Sequence, residues 1–269
     1  EAGLYLSEAY DHMGIDDLAY VKAGKEVYSR YNAKNGGNFE LFSLAVANID
    51  YKYLKTDLRL GRQILETFLT KSNDIKMVPN TFEGAVLTTK DIPKSKLVLA
   101  YLTRQKLKDH TRFHDVITFK NSEGEKWGNN DDPATHKGLS YQNLSKAGKK
   151  TDNALVVAEF KNSSVKNMKL MLNYTAVPSL ISSATAEISY KIPFSGISIT
   201  PAIRYMQQFD NGAGKIGGAS LSGKVNNSSA NGYKDPDSLD SYMIAAKIDM
   251  KVAKAIKLKF GYSAIAGKA

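Results

Sequence analysis

The chain has no cysteine among its 269 residues, which excludes disulfide bonds and metal centres ligated by cysteine. It also lacks any run of about 18 consecutive apolar residues, the length that a membrane-spanning helix needs. A helical membrane protein is therefore excluded. A membrane β-barrel is still allowed, because its strands alternate residues that face lipid with residues that face the lumen, and their average composition is polar.

The chain is basic, with 37 lysines and arginines, 27 aspartates and glutamates, and a formal net charge of +10. Three interpretations compete: binding to nucleic acid, attraction to an acidic surface, and a basic lumen that draws in anions. Composition does not distinguish among them, so the positions of the charges along the chain must decide.

Strict alternation of apolar and polar residues is clearest in the second half of the chain. One face of the segment 196–209 carries Ile197, Ile199, Pro201, Ile203, Tyr205 and Phe209, and the other carries Ser198, Thr200, Ala202, Arg204 and Gln208. A period of two residues predicts a β-strand with one apolar face. Similar patterns predict strands near 41–53, 58–63, 84–91, 96–106, 153–161, 169–175, 183–192, 242–251 and 256–262.

These ten predicted strands favour a membrane β-barrel over a soluble β-sandwich. Several of them reach about 11–13 residues, whereas a spanning strand needs about 9–11 and soluble strands average about 5–6. Tyrosine and phenylalanine lie toward the strand ends, as in the aromatic girdles of membrane barrels. Short turns such as 194–196 also alternate with long polar links such as 107–152 and 210–238, although the short link 177–181 departs from this rule.

One stretch carries a more specific pattern. Residues 57–67 read Asp-Leu-Arg-Leu-Gly-Arg-Gln-Ile-Leu-Glu-Thr, and residues 71–84 read Lys-Ser-Asn-Asp-Ile-Lys-Met-Val-Pro-Asn-Thr-Phe-Glu-Gly. This resembles the OprD-type outer-membrane porins, in which a strand ending in Leu-Arg-x-Gly-Arg/Glu-Gln precedes a loop with a Pro-x-Thr-Phe-Glu-Gly core. Phe68 stands where the family usually has proline, so the start of the loop is expected to bend differently.

The resemblance implies an all-β fold, a transmembrane antiparallel β-barrel of 18 strands in the bacterial outer membrane. Its expected surroundings are the lipid bilayer and lipopolysaccharide, and it is expected to form a homotrimer. Glu1 begins no signal peptide, so either one was removed or the chain starts inside a longer protein. We expect one domain over residues 1–269, incomplete at both ends. Ten strands alone would leave two open edges that hydrocarbon does not tolerate, so we expect no functional pore from this chain by itself.

The resemblance also implies which residues carry function. A loop over residues 64–83 would fold into the barrel and narrow it, with the matching polar positions Lys71, Ser72, Asn73, Asp74, Lys76, Asn80 and Glu83. A basic wall would guide carboxylate groups, with the candidates Arg59, Arg62, Arg104, Arg204, Lys169, Lys191 and Lys247. Taken from the residues alone, the loop is an ordinary polar surface loop and each lysine a solvated residue.

Strand parity supports part of the basic wall. Arg59 and Arg204 alternate with apolar neighbours and so face away from lipid, and the same parity holds for Lys169, Lys191, Lys247, Lys257 and Lys259. Arg104 shares its face with Val98 and Leu102. Arg62 has the parity opposite to that of Arg59, which places it at the strand end or after an irregularity at Gly61. Because these cations are interleaved with apolar residues rather than clustered, nucleic-acid binding is disfavoured.

The remaining motifs do not predict a metal, cofactor or catalytic site. His110 and His114 have a helical metal-ligand spacing, but no helical pattern surrounds them, so we expect no metal site. The glycine-rich stretch 212–223 lacks the helix that a dinucleotide fingerprint needs, so we expect no cofactor. No nucleophile–base set emerges, so we do not expect an enzyme. We expect a passive channel for small hydrophilic solutes that carry a carboxylate, such as amino acids and small organic acids. The alternative is a soluble or surface-attached β-sheet protein that binds through its long loops.

Overall fold

The computed structural model describes residues 1–7, 41–72, 78–107, 113–117, 137–219, 234–252 and 256–267. The strands are β1 Ala2–Ser7, β2 Leu41–Tyr53, β3 Thr56–Gln63, β4 Thr81–Thr89, β5 Ser95–Lys106, β6 His114–Asp115, β7 Leu155–Asn162, β8 Met168–Val177, β9 Ile181–Tyr190, β10 Ile192–Phe194, β11 Ile197–Asp210, β12 Ser241–Val252 and β13 Ile256–Gly267. Short helices span Tyr141–Lys146 and Gly214–Gly217, and a 3-10 turn spans Lys137–Leu139.

The strands form one sheet in which neighbours along the chain are neighbours in space. The order runs β1-β2-β3-β4-β5-β7-β8-β9-β11-β12-β13, with β6 beside β5 and β10 beside β11. The pairs from β7 to β13 are antiparallel. The ten predicted strands and the all-β fold class are confirmed, and β1, β6 and β10 are additional. β4 begins at Thr81, three residues earlier than the predicted strand.

Alternation along the strands separates an exposed apolar face from a polar face. Leu172, Ala186, Tyr205 and Ile244 lie side by side across four strands, and the three large residues of this row are exposed. Soluble monomers rarely expose an apolar patch larger than a few hundred square ångströms. An exposed apolar row that crosses four strands favours a wall that faces lipid over the soluble β-sheet alternative. No helix among the described residues is long and apolar enough to cross a bilayer.

The connections fall on two edges of the sheet, because alternate links in an antiparallel meander lie on the same side. Residues 54–55, 90–94, 163–167 and 191–196 make the short-turn edge, and longer links leave and re-enter the sheet at the other edge between β3 and β4, β5 and β7, and β11 and β12. The link 178–180, on the long-link edge, is short, as the sequence indicates. Leu54, Lys94 and Asn167 make their turns with positive φ angles of 53°, 54° and 65°.

The chain divides into two compact units. The first consists of Glu1–Tyr51, Leu58–Val86 and Tyr101–Leu155, and its buried residues include Ala45 and Val78, against which Tyr5 packs. The second consists of Lys52–Asp57, Leu87–Ala100 and Val156–Ala269, and contains the short turns and most of β7 to β13.

Candidate functional site

The two halves of the sequence motif meet on strands β3 and β4 in the first unit. Arg62 Nε lies 3.0 Å from Glu83 Oε2, and the buried Gln63 donates from Nε2 to the Gly84 carbonyl at 3.2 Å. Gln63 Nε2 also donates to the carbonyl of Gly61 at 3.3 Å. Residues 21 positions apart in the chain are thus joined by an ion pair and by a side-chain amide that bridges both strands.

Both features that parity allows for Arg62 are present: it is the residue before the last of β3, and Gly61 beside it is irregular. The φ of Gly61 is +115°, and a Cβ there would stand 2.4 Å from the Ala47 carbonyl oxygen. Only glycine fits such a conformation so close to a neighbouring backbone. Both arginines beside this glycine reach carboxylates: Arg62 pairs with Glu83, and Arg59 Nε lies 2.5 Å from Asp50 Oδ1.

Arg62 and Arg104 converge on Phe113, which sequence reasoning did not identify. The Arg62 guanidinium carbon lies 4.5 Å from the centre of the Phe113 ring, within cation–π range. Arg104 Nη2 donates to the Phe113 carbonyl at 2.7 Å. Phe113 is 8% exposed. Sequence alternation could not have identified Phe113, because the strand β6 that directly follows it has only two residues.

His114 follows in β6, which belongs to the link between β5 and β7 and is not a spanning strand. Its ring is buried and its Nδ1 lies 2.7 Å from the Asp115 carbonyl oxygen. Burial lowers the pKa of His114 to about 4, and the charges of Arg104 and Lys106 act in the same direction. His110 lies outside the described residues, among which no cluster of potential metal ligands occurs.

The loop that follows β3 is tied to the strands at its far end. Val78 packs on Ala45 in the buried core. The fully buried Lys106 of β5 donates from Nζ to the Pro79 carbonyl at 2.6 Å. These contacts hold the C-terminal part of the loop against β2 and β5, all within the first unit.

Four of the predicted loop residues can be placed. Lys71 Nζ lies 3.5 Å from Glu66, Ser72 N donates to Glu66 Oε1 at 2.7 Å, and Asn80 Nδ2 donates to the Lys71 carbonyl at 3.0 Å. The hydrogen bonds from Ser72 lower the pKa of Glu66, and Lys71 adds to the effect. The predicted boundary at 83 is wrong: Glu83 belongs to β4, and the loop spans 64–80. Asn73, Asp74 and Lys76 lie outside the described residues.

Phe68 lies in a tight turn at the start of the loop. Thr67 N donates to the Thr70 carbonyl at 3.0 Å, and the two threonine hydroxyls lie 2.6 Å apart. This turn leaves the Phe68 side chain half-buried.

In the second unit, the polar face of the sheet carries three of the four remaining predicted cations. Arg204 Nε donates to Glu187 Oε2 at 2.7 Å across the β9–β11 pair. Lys247 Nζ lies 3.2 Å from Asp249 Oδ2. Lys169 of β8 is opposite Ser189 and, within the described part of the chain, has no ion-pair partner. The prediction that Lys191 lies on a strand of this face is wrong. Lys191 lies in the link between β9 and β10, because β9 ends at Tyr190.

Comparison with known proteins agrees with this architecture. A family model described as outer membrane porin, OprD family, matches residues 21–235. A search of curated protein sequences gave no match. Among solved structures, Acinetobacter baumannii OccAB3 is similar with a TM-score of 0.63 and 15% identity, covering 95% of this chain and 52% of that one.

Two porins of Pseudomonas aeruginosa are similar in the same way. OccK8 (OprE) has a TM-score of 0.61 at 16% identity, covering 85% of this chain and 52% of that one. OpdK, solved with vanillate, has a TM-score of 0.59 at 12% identity, covering 85% and 48%. The chain thus spans about half the length of these structures, and at such identities the likeness establishes the fold. The family match covers most of the chain, and this chain therefore belongs to the OprD family of porins of the bacterial outer membrane.

Proposed function

We propose that the whole protein is a passive diffusion channel for small hydrophilic solutes that carry a carboxylate. The observation that carries this proposal is the distribution of charge on the polar face of β7 to β13. Its basic residues are Lys161, Lys169, Arg204, Lys247, Lys251, Lys257 and Lys259, and its acidic residues are Glu159, Glu187, Asp210 and Asp249.

The cations on this face are concentrated toward the short-turn edge. Beyond the row that contains Arg204 and Glu187, the face carries Lys169, Lys247, Lys251, Lys257 and Lys259, and Asp249 is the acidic residue among them. A surface of one dominant sign raises the local concentration of solutes of the opposite sign. An anion that travels along this face therefore meets increasing positive charge toward the short-turn edge.

The constriction is proposed at the loop 64–80 and at the cluster of Arg62, Glu83, Arg104 and Phe113. This cluster offers a half-buried guanidinium beside a carboxylate, and polar groups of both signs at a narrow point select by charge and by hydrogen bonding. The family is a channel family rather than an enzyme class. The similar porin OpdK was solved with vanillate, an aromatic carboxylate, which accords with the solute class proposed for this chain.

The test is the reversal potential of the intact gene product in planar bilayers under a salt gradient. Arg204 and Glu187 provide a matched set, because each neutralises the other. We expect the unaltered channel to prefer anions, Arg204→Gln to weaken that preference by exposing Glu187, and Glu187→Gln to strengthen it. The double variant should return close to the original potential.

Solute selection needs a second measurement in the same protein. Vesicle-swelling rates for a small organic acid and for its uncharged amide compare solutes of nearly equal size. We expect faster permeation of the acid. Equal rates, together with reversal potentials that none of the variants change, would contradict the proposed role of the basic wall.

A further inference from the structure

The short turns of the second unit are joined into a continuous rim. Lys90 N donates to the Lys55 carbonyl at 3.0 Å, which links the first two turns. Ser163 N donates to the Lys94 carbonyl at 2.9 Å, and Lys191 N donates to the Asn167 carbonyl at 2.8 Å. We call residues 52–56, 90–96, 163–167 and 190–197 the short-turn rim. Its turns hold each other in place, so their exposed side chains form one surface.

Each turn of the rim exposes an apolar side chain at its tip. The exposed fractions are 79% for Leu54, 49% for Ile92, 51% for Val165 and 57% for Phe194. Polar residues and glycine are the usual choices for turns. Leu54 even adopts a φ of +53°, where glycine or asparagine would be less strained. Turn geometry therefore does not explain these apolar tips.

Lysines flank every one of these tips. They are Lys52 and Lys55 in the first turn, Lys90, Lys94 and Lys96 in the second, Lys166 in the third and Lys191 in the fourth. The one acidic residue within the rim sequence is Asp91, and its carboxylate is occupied locally. Thr56 Oγ1 donates to it at 2.6 Å and Lys55 N at 3.1 Å. The rim therefore presents a strong excess of positive charge around apolar tips.

The rim also includes exposed tyrosines. Tyr53 and Tyr190 are 66% and 47% exposed, and both are the last residues of their strands at the short-turn edge. Tyrosine is enriched where hydrocarbon gives way to headgroups. The rim is therefore continuous with the level at which lipid headgroups are expected.

We propose that the short-turn rim binds anionic phospholipid headgroups of the inner leaflet of the outer membrane. Short turns of outer-membrane barrels face the periplasm, where that leaflet lies. The apolar tips would enter the boundary between acyl chains and headgroups, and the lysines would contact phosphates, the arrangement of interfacial amphipathic segments. This rests on the membrane location of the family and is independent of the solute that the channel carries.

Charge dependence is tested with the intact gene product in vesicles of phosphatidylcholine with increasing phosphatidylglycerol. The readout is the midpoint temperature at which the heated protein changes from the gel mobility of the folded barrel to that of the unfolded chain. The rim variant is Lys55→Gln, Lys94→Gln and Lys166→Gln combined, and the matched control combines Lys146→Gln, Lys149→Gln and Lys150→Gln in the link 107–154 on the other edge. We expect a midpoint that rises with phosphatidylglycerol, a rise that is lost in the rim variant and kept in the control.

Insertion of the tips is tested separately with lipids brominated on their acyl chains. In a background that carries Trp127→Phe, the tryptophan fluorescence of Phe194→Trp should be quenched, while that of Ser145→Trp, at an exposed position of the link between β5 and β7, should not. A midpoint insensitive to phosphatidylglycerol, an equal loss in both lysine variants, or an unquenched tryptophan at 194 would each overturn the proposal. Single-channel conductance of the same variants confirms insertion and separates this failure from a failure of the proposed solute selection.

Discussion

Removing the ring of Phe113 should release the segment 113–117 from the strands that hold it. The ring is 8% exposed and lies 4.5 Å below the Arg62 guanidinium. Truncating a buried phenylalanine to alanine costs about 3–5 kcal/mol. Phe113→Leu keeps most of the apolar burial and should cost about 1.5 kcal/mol or less, chiefly through lost shape complementarity and the lost cation–π contact.

Most of this cost should appear in local opening rather than in global unfolding. The hydrogen bond from Arg104 to the Phe113 carbonyl and the pairing of β6 with β5 involve backbone groups that survive the substitution. At about 1.4 kcal/mol for each factor of ten, Phe113→Ala should raise the opening constant of the segment by a factor between about 10² and about 4 × 10³. Phe113→Leu should raise it by about tenfold at most.

The assay is native-state hydrogen exchange of the amides of residues 113–117 in the intact gene product. Leu144→Ala, which empties another buried position of the same unit, serves as the control, because it should leave exchange at 113–117 unchanged. Exchange in Phe113→Ala at the original rate would refute the view that this ring anchors the segment. Equal effects of alanine and leucine would assign the anchoring to the arginine–ring contact instead of to burial.

Two further predictions concern the titration of His114 and the glycine at position 84. The pKa of His114 is about 4 when folded and 6.5 when free, so the unfolded state binds more protons between these values. The contribution of His114 to the free energy of unfolding should therefore be complete above about pH 6.5 and should decrease by up to about 3 kcal/mol as the pH falls toward 4. An NMR titration of the His114 ring with a midpoint near 6.5 would contradict its burial. Gly84→Ala would place a Cβ 2.2 Å from the Tyr101 carbonyl oxygen, so it should lower the temperature of gel-mobility loss far more than Gly196→Ala, which meets nothing within 4 Å. Equal midpoint temperatures for the two glycine variants would contradict this prediction and would show that the backbone of β4 shifts to make room for the added Cβ.

The strands that alternation predicts are those long enough to repeat the pattern several times. β6 and β10 have two and three residues, and so few positions carry no period. The start of β4 was missed for a different reason. Thr81, Phe82 and Glu83 belong to the motif that begins at Pro79, and the family resemblance assigned that whole motif to the loop.

Parity predicts the face on which a side chain lies but not its partner. It placed Arg62 at the strand end or after an irregularity at Gly61, and the positive φ of that glycine is the physical basis of the irregularity. Glu83 could not be assigned as the partner, because the register between two strands depends on the loop that joins them. Phe113 could not be found at all, since its role depends on a distant arginine on each of two strands.

The ion pairs change what each cation contributes to the electric field along the polar face. Arg204 and Glu187 together carry no net charge, so at a distance they act as a dipole whose field falls faster than that of a single charge. Lys169, for which the described chain offers no carboxylate partner, keeps its full charge. Over a screening length of about 8 Å at physiological salt, the lysines near the short-turn edge therefore dominate long-range attraction, and the arginine acts at contact. Sequence parity places Arg204 securely on this face, but it does not show the carboxylate that folding places beside the arginine.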